Sequence, residues 1–157
     1  MHLIDLLAPA RVRAGASATS KKRLLELTAS ILTQPAGDAE LERLIYDNLS
    51  ARERLGSTGL GKGVAIPHGR IAGLASPIGA FLQLSDALPF DAVDGQPVDL
   101  LFALVVPEHS NQQQLMLLSQ LAEMFSDAGF CGRLRSARGD SELFAVLSEW
   151  QIAHIAA

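Results

Sequence analysis

The sequence predicts an α/β protein: a three-layer α/β/α sandwich with a mixed central sheet. Three observations carry that expectation. Helical periodicity dominates both ends of the chain and strand-like runs fill the middle, in the order α, α, β, β, β, α, α. The run Val98 to Val106 is almost continuously apolar, as suits a central strand covered on both faces. With 157 residues, 48% of them hydrophobic, the chain fits one compact domain over 1–157 that buries a sizeable core.

Each element has its own signal. Ser20 or Thr19 can cap a helix that runs to about Leu32 and turns Leu24, Leu25, Leu27, Ile31 and Leu32 inward. Gln34-Pro35-Ala36-Gly37 stops it. Asp38 caps a second helix, with Leu41, Leu44, Ile45 and Leu49 at helical spacing and Gly56 just beyond its end. Val64 to Ile66 reads as a short strand, and Ile78 to Leu84 and Val98 to Val106 as longer ones, the last ended by Pro107. Asn111 to Asp127 is helical through Leu115, Leu118, Leu121, Ala122 and Phe125. Asp140 caps a final helix with Leu143, Phe144, Leu147 and Trp150 on one side, Trp150 anchoring it against the sheet. A first strand is expected at Arg11 to Ala14. Met116 and Met124 are expected to fill the core.

Composition excludes several classes of function. The net charge of −4 makes the protein a poor holder of nucleic acid through phosphate contacts. The single cysteine, Cys131, rules out an internal disulfide, fits a reducing compartment, and reads as a buried apolar residue. No apolar run approaches the ~18 residues of a membrane span, and the N-terminus lacks the features of a signal peptide. A cytoplasmic protein with no membrane insertion is expected. His2, His68, His109 and His154 are dispersed, with no pair at metal-ligand spacing on one helix, so neither a metal nor a cofactor is expected. His2 and His154 read as surface or packing residues. No Gly-x-Ser-x-Gly elbow offers a serine nucleophile.

The stretch Gly61-Lys62-Gly63-Val64-Ala65-Ile66-Pro67-His68-Gly69-Arg70 is the most informative in the chain. Gly56 to Gly63 imitates a nucleotide-binding P-loop but ends on Gly63, where a Ser or Thr must ligate magnesium. It also joins helix to strand, the reverse of P-loop order. Positive charge concentrates here. Arg52, Arg54, Lys62 and Arg70 lie between positions 52 and 70, whereas no Lys or Arg occurs from Ile71 to Gly132. The expectation is His68 at the tip of a strand, on a Pro67–Gly69 turn, within an anion site. A neutral imidazole is nucleophilic at cellular pH. Gly69 leaves room beside the ring and exposes backbone N–H groups, and Arg52 and Arg70 can meet phosphate oxygens bidentately.

The run from Arg52 to Arg70 resembles the phosphorylation-site region of enzyme IIA proteins of the mannitol/fructose type in the bacterial phosphotransferase system. The Gly-Ser-Thr-Gly form of residues 56–59 resembles the nitrogen-regulatory branch. A second block, Phe90 to Pro107, and Ser20-Lys21-Lys22-Arg23 extend the similarity over nearly the whole chain. The resemblance implies that His68 accepts a phosphoryl group through Nε2 from an HPr-type phosphocarrier protein, with Arg52 helping to bind it. It implies the α/β/α fold and, in the nitrogen branch, control of sensor kinases or potassium transport proteins by phosphorylation state. The alternative is a sugar-specific enzyme IIA that passes phosphate to a transporter's cytosolic domain. Relatives usually carry a second histidine in a His-Leu pair, and here Gln114-Leu115 stands there. Glutamine can donate a neutral hydrogen bond but supplies no charge. His109, just upstream, is the candidate substitute.

Overall fold

The structure, a computed structural model, describes residues 2–155, with side chains as far as Trp150. Two 3-10 turns, Leu3–Leu6 and Pro9–Arg11, lead into β1 (Val12–Ala16), α1 (Lys21–Leu32) and α2 (Ala39–Arg54). Then come β2 (Gly59–Gly61), β3 (Val64–Ala65), β4 (His68–Ile71), β5 (Ile78–Leu88) and β6 (Val98–Pro107). The chain finishes with α3 (Asn111–Ser126), α4 (Ala128–Ser136) and α5 (Asp140–Ile155).

The sheet order is β1-β5-β6-β3-β2, with β4 also paired to β6. β3 and β4 both run parallel to β6, β5 runs antiparallel to it, β1 is parallel to β5, and β2 is antiparallel to β3. The sheet is therefore mixed, as expected. Side chains on β6 alternate between two cores, because successive strand residues point to opposite faces. Leu100, Phe102, Leu104 and Val106 pack with Leu117, Leu121, Phe125, Leu134, Leu143 and Leu147 of the C-terminal helices. Leu101, Ala103 and Val105 pack with Leu24, Leu32, Ile45 and Leu49 of α1 and α2. Two cores, one on each face of one sheet, make the sandwich. Phe81 of β5 meets Phe102 edge-on, with ring centroids 6.3 Å apart, and stacks on Phe125 at 6.1 Å.

Both early caps are where the sequence predicts them. Ser20 accepts the Arg23 N–H at 3.1 Å, and one Asp38 oxygen accepts those of Glu40 and Leu41 at 3.0 and 3.1 Å. These bonds satisfy first-turn amides that have no partner inside the helix. The third expected cap is different. Asp140 lies inside α5, and its carboxylate accepts the Ala14 N–H of β1 at 2.7 Å, tying the last helix to the sheet edge.

Four other expectations need correction. The inward face of α3 is Leu117, Leu121, Met124 and Phe125, whereas Leu115, Ala122 and Met116 are exposed. Leu44 on α2 is exposed too. Asp127 does not belong to α3: it accepts the Phe130 N–H at 3.0 Å and starts α4, a helix the periodicity does not reveal. Finally, His68 is not on a turn. β3 and β4 form one row along β6, interrupted at Ile66–Pro67, and His68 is the first residue of the second piece. Pro67 has no N–H for the ladder, but its carbonyl accepts the Leu104 N–H at 3.0 Å, so pairing resumes immediately. Trp150, expected to anchor α5 against the sheet, instead meets Phe130 of α4 with its ring, 5.0 Å away between ring centroids. His154 lies outside the residues whose side chains are described.

Candidate functional site

β6 is the strand on which the site is built. His68 pairs with Leu104 and Arg70 with Val106, so both project from a short strand seated on the innermost strand of the sheet. The half-buried His68 ring is oriented by its own chain: Nδ1 lies 2.8 Å from the Ile66 carbonyl oxygen. A carbonyl can only accept, so Nδ1 carries the proton and the lone pair of the neutral ring sits on Nε2. Burial lowers the histidine's proton affinity, the Ile66 carbonyl raises it, Arg52 lowers it and Glu53 raises it. The net shift is downward, which favours the neutral, nucleophilic ring.

His68 opens onto a cleft of about 750 Å3. Arg52 from the last turn of α2, Gly69 and Arg70 from β4, His109 from the β6–α3 connection and Gln114 from α3 all line it. Every site residue expected from the sequence is thus in one place. The Arg52 guanidinium donates to the Gly56 carbonyl at 2.9 Å, and among the described residues it faces no carboxylate within ion-pair distance. Arg70 donates to the Asn111 side chain. Both guanidinium groups keep donors for an anion. His68 and His109 share the cleft, but among the described residues no group of three His, Cys, Asp or Glu side chains could hold a metal ion.

Gly69 has a use that its sequence neighbours do not announce. It is buried in the sheet, and a Cβ there would collide with the side-chain amide of Asn48 on α2. Asn48 uses that space to accept the Arg70 N–H at 3.2 Å and to donate to the Arg70 carbonyl at 2.8 Å. The pair of bonds fastens α2, and so Arg52, alongside the strand that carries His68. Asn48 also lines the cleft, as does Glu108. The signal for Asn48 was available: it precedes Arg52 by four positions and shares its helix face.

The Gly56-Ser57-Thr58-Gly59 loop braces the site. The Ser57 hydroxyl donates to the Phe90 carbonyl at 2.6 Å and accepts the Gly59 N–H at 3.0 Å. Thr58 presents its N–H and hydroxyl to the buried Glu53 carboxylate at 2.9 and 2.7 Å. A second, smaller groove of about 200 Å3 flanks His68, lined by Arg52, Thr58, Leu60, Ile66, Leu118 and Ala122 among others.

Residues 5–150 match the family described as phosphoenolpyruvate-dependent sugar phosphotransferase system, EIIA 2. The chain belongs to this family. Among its EIIA 2 relatives, a nitrogen regulatory protein of Pseudomonas aeruginosa is 44% identical over 153 residues, covering 96% of this chain and 97% of that one. The crystal structure of the nitrogen regulatory protein IIA-Ntr of Neisseria meningitidis superposes with a TM-score of 0.84 at 39% identity, over 92% of this chain and 98% of that one. The fold alone is shared with Escherichia coli mannitol enzyme IIA, solved in complex with phosphorylated enzyme IIB. There the TM-score is 0.72 at 17% identity, over 91% of this chain and 97% of that one. Within the EIIA 2 family the chain therefore groups with nitrogen regulatory proteins, and no helix among its described residues is long and apolar enough to cross a membrane.

Proposed function

We propose that the protein is a regulatory phosphoryl carrier. His68 Nε2 takes a phosphoryl group from an HPr-type phosphocarrier, and the phosphorylation state of His68 governs regulatory targets such as sensor kinases or potassium transport proteins. The observation that carries this reading is the Nδ1 hydrogen bond to Ile66, which leaves Nε2 as the nucleophilic nitrogen at a cleft flanked by Arg52 and Arg70.

The step is a simple exchange of bonds. The Nε2 lone pair attacks phosphorus while the donor's bond to phosphorus breaks, and Nδ1 keeps its proton throughout. The phosphoryl group brings about two negative charges and three acceptor oxygens, which suit the forked donors of Arg52 and Arg70. Gln114 adds a neutral donor, and His109 adds a titratable one. Docking of the carrier is supported by apolar side chains left in water around the site: Leu55 is 85% exposed, Leu60 50% and Leu115 68%. Large apolar side chains exposed together beside a cleft mark a surface suited to protein binding.

Incubation with phosphoenolpyruvate, enzyme I and the phosphocarrier should give acid-labile, alkali-stable incorporation that disappears in His68→Ala. Incorporation that survives this substitution, or none in the wild type, would overturn the proposal. Onward transfer to a transporter's cytosolic domain is the alternative use of the same intermediate. It would be detected as sugar phosphorylation in permeable cells that depends on His68.

A further inference from the structure

We infer that Glu53 is the positioning residue of this site, its buried carboxylate holding, through Thr58, the peptide that orients His68. This rests on the reading of His68 as phosphoryl acceptor.

Glu53 is only 9% exposed, and carboxylates are almost never that buried unless paired. Its oxygens are fully engaged. One accepts the Thr58 N–H at 2.9 Å and faces the Lys21 ammonium at 2.9 Å; the other accepts the Thr58 hydroxyl at 2.7 Å. Lys21 is pinned in turn: it donates to the Phe90 carbonyl at 3.2 Å and sits 4.4 Å from the centre of the Phe90 ring. A buried ion pair of this kind is weak evidence for stability, since well-packed apolar groups often serve as well. What it does fix is geometry.

Two short paths lead from Glu53 to the site. Along the first, Thr58 is held by the carboxylate, its carbonyl accepts the Ile66 N–H at 3.0 Å, and the Ile66 carbonyl accepts the His68 Nδ1–H at 2.8 Å. One carboxylate therefore reaches the reacting ring through two backbone links. Along the second, Glu53 adjoins Arg52, and the Gly56 N–H closes the helix onto the Glu53 carbonyl at 3.2 Å while the Gly56 carbonyl receives the Arg52 guanidinium. This second path runs through backbone groups, so the carboxylate itself acts on the imidazole, and Arg52 is placed beside it by the helix end. The charged and titratable groups around His68 are Arg52 and Glu53 from α2, Arg70 from β4, and Glu108 and His109 after β6. Of these only Glu53 is buried behind the ring rather than open to the cleft.

The test compares the full-length wild type with Glu53→Gln, Thr58→Val and Thr58→Ser. Two quantities are read: phosphorylation kinetics against carrier concentration, and the tautomer and titration of His68 by nitrogen and proton NMR. Glu53→Gln and Thr58→Val should lower kcat by about 10- to 100-fold with little change in the KM for the carrier, because they displace the acceptor rather than the docking surface. In both, His68 should lose its fixed Nδ1–H tautomer, and in Glu53→Gln it should titrate at lower pH than in the wild type. Thr58→Ser, which restores the hydroxyl, should recover the wild-type rate. If Glu53→Gln does not fold, the two Thr58 variants decide the matter alone. Wild-type kcat together with the wild-type tautomer in a folded Glu53→Gln or Thr58→Val would overturn the inference. If the wild type itself takes up no phosphate, the acceptor reading fails instead, and the NMR comparison still decides whether Glu53 orients the ring.

Discussion

At the scale of the residue, His68 is kept neutral chiefly by burial, with Arg52 adding to the effect and the Ile66 carbonyl and Glu53 resisting it. On the proposed reading the attacking form is the deprotonated one, so the rate should be complete above the folded-state pKa and lost as pH falls through it. That value lies below the ordinary histidine value of about 6.5. The acid limb of a phosphorylation-rate profile should therefore bend below about pH 6.5, as a stopped-flow or quench series would show. Arg52→Ala should slow phosphorylation by about 10- to 100-fold by removing a forked donor from the transferring group, and Arg52→Lys should recover only part of it. Gln114→His should change the lifetime of the phosphorylated form, measured as decay of label after removal of the donor. Unchanged decay would place Gln114 outside the phosphoryl site. His68, Arg52 and Arg70 were legible because charge, glycine and proline cluster in one stretch. Lys21 and Glu53 were not, because they lie far apart in the chain and nothing local announces that one will neutralise the other.

At the scale of the element, the first two helix caps read cleanly, whereas the later caps and the buried face of α3 did not. Ser20 and Asp38 each work through a bond a few residues long, which a sequence displays directly, whereas Asp127 reads as the end of α3 and instead starts α4. Which stripe of α3 faces the sheet depends on how that helix lies across it, and its leucines occupy both stripes. Leu117 is fully buried and Leu115 is largely exposed. Leu117→Ala should accordingly cost about 2–5 kcal/mol in urea unfolding, whereas Leu115→Ala should stay within about 0.5 kcal/mol and weaken carrier binding instead. α4 is hard to see in the sequence because Gly129 and Gly132 are poor helix formers, and burial of Phe130, Cys131 and Leu134 overrides them. The break at Pro67 was visible, but its outcome was not. Whether a chain turns away after a proline or rejoins the ladder depends on the strand alongside, here Leu104 of β6.

At the scale of the whole molecule, the sandwich was legible because β6 is apolar on both sides, and a strand of that kind needs a layer of helices on each face. The strand order was not legible, since β5 and β6 are adjacent in sequence and in space while β1 reaches the sheet beyond β5. On the proposed reading, the seating of His68 on β6 bears on signalling. The residues opposite His68 to Ile71, from Leu104 to Pro107, lie along the central strand of the sheet, and the amides of Leu104, Val105 and Val106 should exchange with deuterium equally slowly before and after phosphorylation. A partner that tells the two forms apart would then sense not a new shape but a reversed electrostatic potential, a patch of surface that changes sign while the scaffold beneath it stays still.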